Sequence, residues 1–397
     1  MQFTNDSGVI IKRLLPSFVE CRQNVRMQLR SIADKMYADF VKGEKYYCEH
    51  VRGVKPIVRS NGNILYPNIF HSYFIPDIVR EFILDNSVYQ LDYSFKLQGI
   101  TIQIRFSLFS KNELTKTQKY DKHVAFMCIW LHNCIQCTTS SSFKHLSIYI
   151  YPTKFKKKLP PPRGHEIGVE NINTAFTTRC PTNSGEIIIY REEEWRKVFI
   201  HETFHCFCLD VAPHIEADIH TGLSDLFTVS SKFNMAEAYS ETWARIINAA
   251  YASYISTKKG GDCLEEFSVY FYFSIEIERM FSLMQMNKIL NFQNLNFDNL
   301  TNRNVSYRED PATNVFGYYI LTGIMMNGYV DFILWCQNNN TNLFMFPHVS
   351  ACNKSFVGLI KKCRDKESCV LVDKLIVGER DKFINTTTRM SSIEVFY

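Results

Sequence analysis

The chain has 397 residues, enough for two or three lobes with real cores, and 46% are hydrophobic, as in a globular protein and not a disordered one. A net charge of +5 is too mild to mark a nucleic-acid-binding face, where basic residues concentrate. No basic-then-apolar leader opens the sequence and no run of about 18 apolar residues occurs, so neither export nor a membrane span is expected; the thirteen cysteines are then expected as mostly buried thiols in a reducing, intracellular setting.

Residues 9–42 place Leu14, Phe18, Val25, Leu29, Ile32, Met36 and Phe40 close to a 3.6-residue period, which predicts helix, broken near its start by Pro16. Residues 45–87 carry no clear period. Strict alternation from Ile100 to Phe106, with the turn pair Gln98-Gly99 before it, predicts a β-hairpin over 88–97 and 100–109. A helix over 119–137 and a strand over 145–152 follow. The basic, proline-rich TKFKKKLPPPRGH (153–165) reads as a solvated loop. Its alternative is a contact through Lys156, Lys157 and Lys158 with phosphate, an acidic partner or nucleic acid. SGEIIIY (184–190) is a short strand. REEEWRKVFIHETFHCFC after it predicts a helix, with three early glutamates favouring the positive end of its dipole. Beyond it, 209–234 reads as loop, 235–255 and 264–290 as helices, 291–310 as an Asn-rich linker and 312–336 as a buried helix.

The chemistry concentrates in His201-Glu202-Thr203-Phe204-His205, an H-E-x-x-H sequence. Histidines at i and i+4 project from one helix face, so both imidazoles can reach one ion at about 2.0–2.1 Å. Glu202 between them points near the metal without ligating it, as a general base must. Val198, Phe199, Ile200, Thr203, Phe204, Cys206 and Phe207 are all uncharged, which suits a helix that buries its metal face. Catalytic zinc wants a third protein ligand and one open position. Asp210, His214, Glu216, Asp218, His220, Glu237 and Glu241 are all near enough in sequence. Glu237 and Glu241 stand one turn apart on the next helix, so one can ligate while the other accepts a hydrogen bond from a zinc histidine.

With these residues in place, the chain resembles the gluzincin (thermolysin-like) zinc metallopeptidases. Ala236-Glu237-Ala238-Tyr239-Ser240-Glu241 is similar to the family's N-E-A-x-S-D segment, with Ala236 for Asn and Glu241 for Asp. The metzincin pattern fails, since Cys208 stands where Gly is required and Val211 where His or Asp is. The resemblance covers about residues 85–255 and implies zinc held by His201, His205 and Glu237, Glu202 as general base and Glu241 supporting a zinc histidine. It also implies a peptide or protein substrate paired along an edge strand, for which residues 186–190 are in place. The segment from His205 to Glu237 is longer than is usual in the family. An oxyanion donor could be His348, Tyr318 or Tyr319.

The expected fold is α+β: a mainly helical region (1–84), a zincin-like lobe with a mixed sheet and the motif helix (85–210), a helical lobe with the third ligand (211–290) and a C-terminal helical region (291–397). Cys134-Ile135-Gln136-Cys137 has no partner pair and reads as thiols, and Cys206 and Cys208 read as packing. The other reading is an inactive metallopeptidase-like structural or interaction protein, as in a large DNA virus, whose coding style the composition resembles.

Overall fold

The hairpin turn shows how local chemistry sets the sheet. Gln98 and Gly99 both take positive φ, 49° and 89°, as a two-residue hairpin turn requires. They join two nine-residue strands in register, Leu97 opposite Ile100 and Tyr89 opposite Leu108. The computed structural model describes residues 1–18, 23–138, 143–161, 166–229, 231–257, 263–301, 307, 309–310, 313–347, 349, 351–364 and 381–396.

The helices, in chain order, begin with α1 (Asn5–Leu14), α2 (Gln23–His50), α3 (Asp77–Asn86) and α4 (Thr117–Cys137). Next come α5 (Val169–Ile172), α6 (Trp195–Cys206), α7 (Pro213–Ser224), α8 (Met235–Thr257) and α9 (Cys263–Phe292). A π-helical turn, Phe316–Leu321, leads into α10 (Thr322–Asn327), then α11 (Tyr329–Asn339), α12 (Ala351–Arg364) and α13 (Lys382–Thr386). The strands are β1 (Ile57–Ser60), β2 (Tyr89–Leu97), β3 (Ile100–Leu108), β4 (His145–Ile150), β5 (Ala175–Thr177) and β6 (Ser184–Ile189). The fold is α+β with a mixed sheet, as the sequence implied.

Two units divide the chain. One comprises Met36–Lys156 and Asn173–Leu209 and holds the whole sheet; the other comprises Met1–Lys35, Lys157–Ile172 and Asp210–Phe396 and is helical. The sheet order is β1-β2-β3-β4-β6-β5. β3, β4 and β6 run parallel, and α4 makes the β3-to-β4 crossover. On one face, Tyr93, Ile102, Ile104, Phe106, Leu146, Ile148 and Ile187 are buried. Phe106 meets Tyr120 of α4, and Phe126 of α4 meets Phe199 of α6. Behind the other face, Val79 and Ile83 of α3 pack with Tyr149, Phe176, Ile188 and Tyr190.

In the helical unit α8 packs along α9, and α9 along α10. An extended segment after α13 crosses α9: Lys288 Nζ donates to the Thr387 carbonyl at 2.8 Å, and Glu278 accepts from the amides of Ser392 and Ile393 at 3.0 and 2.8 Å.

Several expected elements differ. β1 and α3 fall in the stretch without a period and belong to the sheet unit. Residues 209–234 contain α7, with Pro213 at its first turn, where proline costs no hydrogen bond. The helix expected over 312–336 is a π turn and two helices bent by 89° at Gly328. Among the described residues no single helix is long and apolar enough to cross a membrane.

Two glycines should respond oppositely to alanine. A Cβ on Gly43 of α2 would stand 2.7 Å from the Ile129 carbonyl oxygen of α4, whereas one on Gly8 of α1 would meet nothing within 4 Å. Urea unfolding should show Gly43→Ala destabilised by about 1–3 kcal/mol and Gly8→Ala stabilised by about 0.5–1 kcal/mol.

Candidate metal centre

Helix α6 carries the H-E-x-x-H residues, and all of its residues but Arg196 are buried. Thr203 and Phe204, the two variable positions, fasten it. Trp130 Nε1 of α4 donates to Thr203 Oγ1 at 2.7 Å, Thr203 donates on to the Ile200 carbonyl at 2.6 Å, and the Trp130 and Phe204 rings are stacked. The helix starts at Trp195, so Glu192, Glu193 and Glu194 precede its first turn and do not sit in it. They have another role. Glu192 pairs with Lys154 and Lys119, and Glu193 with Lys156 at 3.8 Å.

His201 and His205 lie on one face, 4% and 7% exposed. Their Nε2 atoms are 3.0 Å apart and their rings meet edge-on at 4.8 Å. Glu202, 6% exposed, is buried beside them in the chain. Burial pushes the Tyr190 phenol up, and the Glu202 carboxylate adds to that rise. Tyr190 donates to the Phe74 carbonyl at 2.9 Å. At the end of α6 the His205 carbonyl accepts from the Cys180 amide at 3.1 Å. Cys208, expected as a packing thiol, is bonded to Cys180 in a disulfide, while Cys206 remains a buried thiol.

In the helical unit, Glu237 and Glu241 lie one turn apart on α8. Asn234 caps this helix, its side-chain oxygen accepting from the Glu237 amide at 3.2 Å. Glu237 is half-buried, and its Oε2 accepts from the Tyr318 hydroxyl at 2.8 Å. Glu241 is fully buried, and its Oε1 accepts from Arg245 Nε at 2.9 Å. Arg245 also donates to Ser282 Oγ at 2.5 Å and to the Tyr318 carbonyl at 3.3 Å. Arg245 and the engagement of Tyr318 were not anticipated. The i,i+4 spacing of Glu241 and Arg245 was a readable signal for the first.

The other ligand candidates have duties of their own. His214, Glu216, Asp218 and His220 are on α7, not in a loop. Asp218 accepts from Asn353, Glu216 from the Ala236 amide, and the His220 ring packs on Phe233. Tyr319 donates to the Thr388 carbonyl at 2.5 Å in the interior, and His348 lies outside the described residues. β6 is not the edge strand: β5 pairs antiparallel with its outer side and forms that edge. The basic loop is partly neutralised, with Lys154 and Lys156 paired to glutamates and Lys157 only 1% exposed. No protein-family model, curated protein or solved structure gives a match to this chain.

A single buried histidine reports on the seat of α6. His123 of α4 meets Trp195 edge-on at 4.7 Å, and burial lowers its pKa to about 2, with Arg196 adding to the shift. It stays neutral in the fold but takes a proton when unfolded below its ordinary value of 6.5. Its contribution is thus complete above pH 6.5 and is lost as pH falls toward 2, at up to about 1.4 kcal/mol per pH unit. Urea midpoints measured from pH 7 to pH 4 should fall more steeply for wild type than for His123→Phe.

Proposed function

We propose that the chain is a zinc-dependent metallopeptidase of gluzincin type, with His201, His205 and Glu237 as metal ligands and Glu202 as general base. The observation that carries this reading is the imidazole pair, two buried Nε2 atoms facing each other at 3.0 Å. Nitrogen donors so close either share one proton or share one cation. Further support comes from the donor types: two buried imidazoles on α6 and a half-buried carboxylate, Glu237, on α8. Two imidazoles and one carboxylate are the protein ligands of many hydrolytic zinc sites, with a position left for water. When bound, zinc supplies Lewis acidity, polarising a scissile carbonyl and lowering the pKa of water toward about 7.

The remaining work falls to the chain. Glu202 follows His201 directly and is shielded from solvent, so its carboxylate is the base that takes a proton from the attacking water and passes it to the leaving amine. β5 gives an extended peptide a short strand to pair with by backbone hydrogen bonds, in place of the strand expected from sequence. The nucleic-acid alternative loses support because, of the three lysines it needs, Lys156 is paired with Glu193 and Lys157 is buried, which leaves Lys158 exposed.

Purified protein should contain one zinc per chain by elemental analysis. Glu202→Gln should keep the zinc and lose peptide cleavage by roughly 10²–10⁴-fold, the usual worth of a general base. A zinc-loaded wild type that cuts nothing in a broad peptide library would instead favour a structural or interaction protein.

A further inference from the structure

Glu237 is held by a phenol 81 residues away in sequence: the Tyr318 hydroxyl donates to its Oε2 at 2.8 Å. We propose that Tyr318 is a positioning residue that occupies Oε2 and presents Oε1 to the metal, so that Glu237 ligates through one oxygen. This rests on the zinc reading above.

The surroundings of Tyr318 are built for that contact. It lies on the π-helical turn Phe316–Leu321, an irregularity that often accompanies functional sites because it re-aims side chains. The preceding residue, Gly317, lets the turn approach α8. A Cβ there would stand 2.9 Å from the Asn234 carbonyl oxygen and 3.7 Å from the Glu237 Cβ. The turn is anchored at its start, where the half-buried Glu309 accepts from the Phe316 amide at 2.7 Å. Arg245, itself fixed on Glu241 and Ser282, reaches the Tyr318 carbonyl. Backbone and side chain of Tyr318 are therefore both restrained.

The chemical consequence follows from counting donors. An oxygen that accepts a hydrogen bond from a phenol has less lone-pair density for a cation. If both oxygens of Glu237 bound zinc, they and the two imidazoles would make four protein donors and displace the water that hydrolysis needs. Hydrogen bonds to a ligating carboxylate fix its orientation and tune affinity. Tyr319, the adjacent phenol, supplies the internal control because it donates to the Thr388 carbonyl instead.

The test compares wild type with Tyr318→Phe, Tyr319→Phe and Glu237→Ala. Zinc affinity is measured by competition with a chromogenic chelator, and coordination by the visible spectrum of the cobalt-substituted proteins. Tyr318→Phe should bind zinc about 10–100-fold more weakly, with weaker cobalt bands as the coordination number rises. Tyr319→Phe should unfold at lower urea yet match wild type in affinity and spectrum. Equal zinc affinity and an unchanged cobalt spectrum in Tyr318→Phe would overturn the proposal while leaving the zinc site intact. Failure of the underlying reading looks different: wild type takes up no zinc, or Glu237→Ala binds it as wild type does, and the positioning role falls with it.

Discussion

Two imidazole nitrogens 3.0 Å apart on a buried helix face are the constraint around which the candidate centre is organised. Were both rings charged, their repulsion would be on the order of 5 kcal/mol at an effective dielectric near 20. The two facing nitrogens therefore cannot both carry a proton: either one N–H is shared between them or a cation lies between two lone pairs. The helix cannot relieve the contact by rotating. Thr203 and Phe204, between the histidines in sequence, are fixed to Trp130 by a hydrogen bond and a ring stack. The two residues that the H-E-x-x-H pattern leaves unspecified are, in this chain, the ones that hold the helix still.

The acids of α8 divide their work by environment more than by length. Glu241 and Arg245 are both 1% exposed and bonded to each other, so the pair buries no net charge. Removing either member of such a pair strands the other in the interior, a far greater penalty than the net worth of the pair itself. That makes Glu241 a structural partner of Arg245 first. Glu237 is different. It is only half-buried, and its Oε2 accepts a hydrogen bond from the Tyr318 phenol.

Where the sequence was legible, one local signal was strong enough alone. The positive-φ pair Gln98-Gly99 and the alternation after it set the hairpin to within a residue. The helices expected over 119–137, 235–255 and 264–290 match α4, α8 and α9 to within two residues, and the five motif letters set the face of α6. The elements missed were too short to build a period, as with β5 at three residues and β1 at four. α7 was hidden because Pro213 reads as a loop residue until its place in the first turn is known. Arg245 and Tyr318 meet across 73 positions, and nothing local to either residue announces the contact.

Some breaks in local rules fall on the elements that carry the candidate residues. α6 has no side-chain cap at its start, where Glu194 has a left-handed backbone (φ 58°), and Cys208, just past its end, has φ 54°. These are energetically unfavourable conformations for residues with a Cβ, and each needs the surrounding structure to hold it. The π-helical turn at Phe316–Leu321 is a further departure, and it carries the tyrosine that meets Glu237. A sequence selected for stability alone would regularise such places, since an N-cap residue or a standard α-turn is locally better. A departure retained on an element that carries a candidate side chain is what a chain shows when the aim of that side chain outweighs local propensity. The left-handed residue at Glu194 sets the observed start of α6, and the π-helical turn together with the bend at Gly328 divides the helix expected over 312–336.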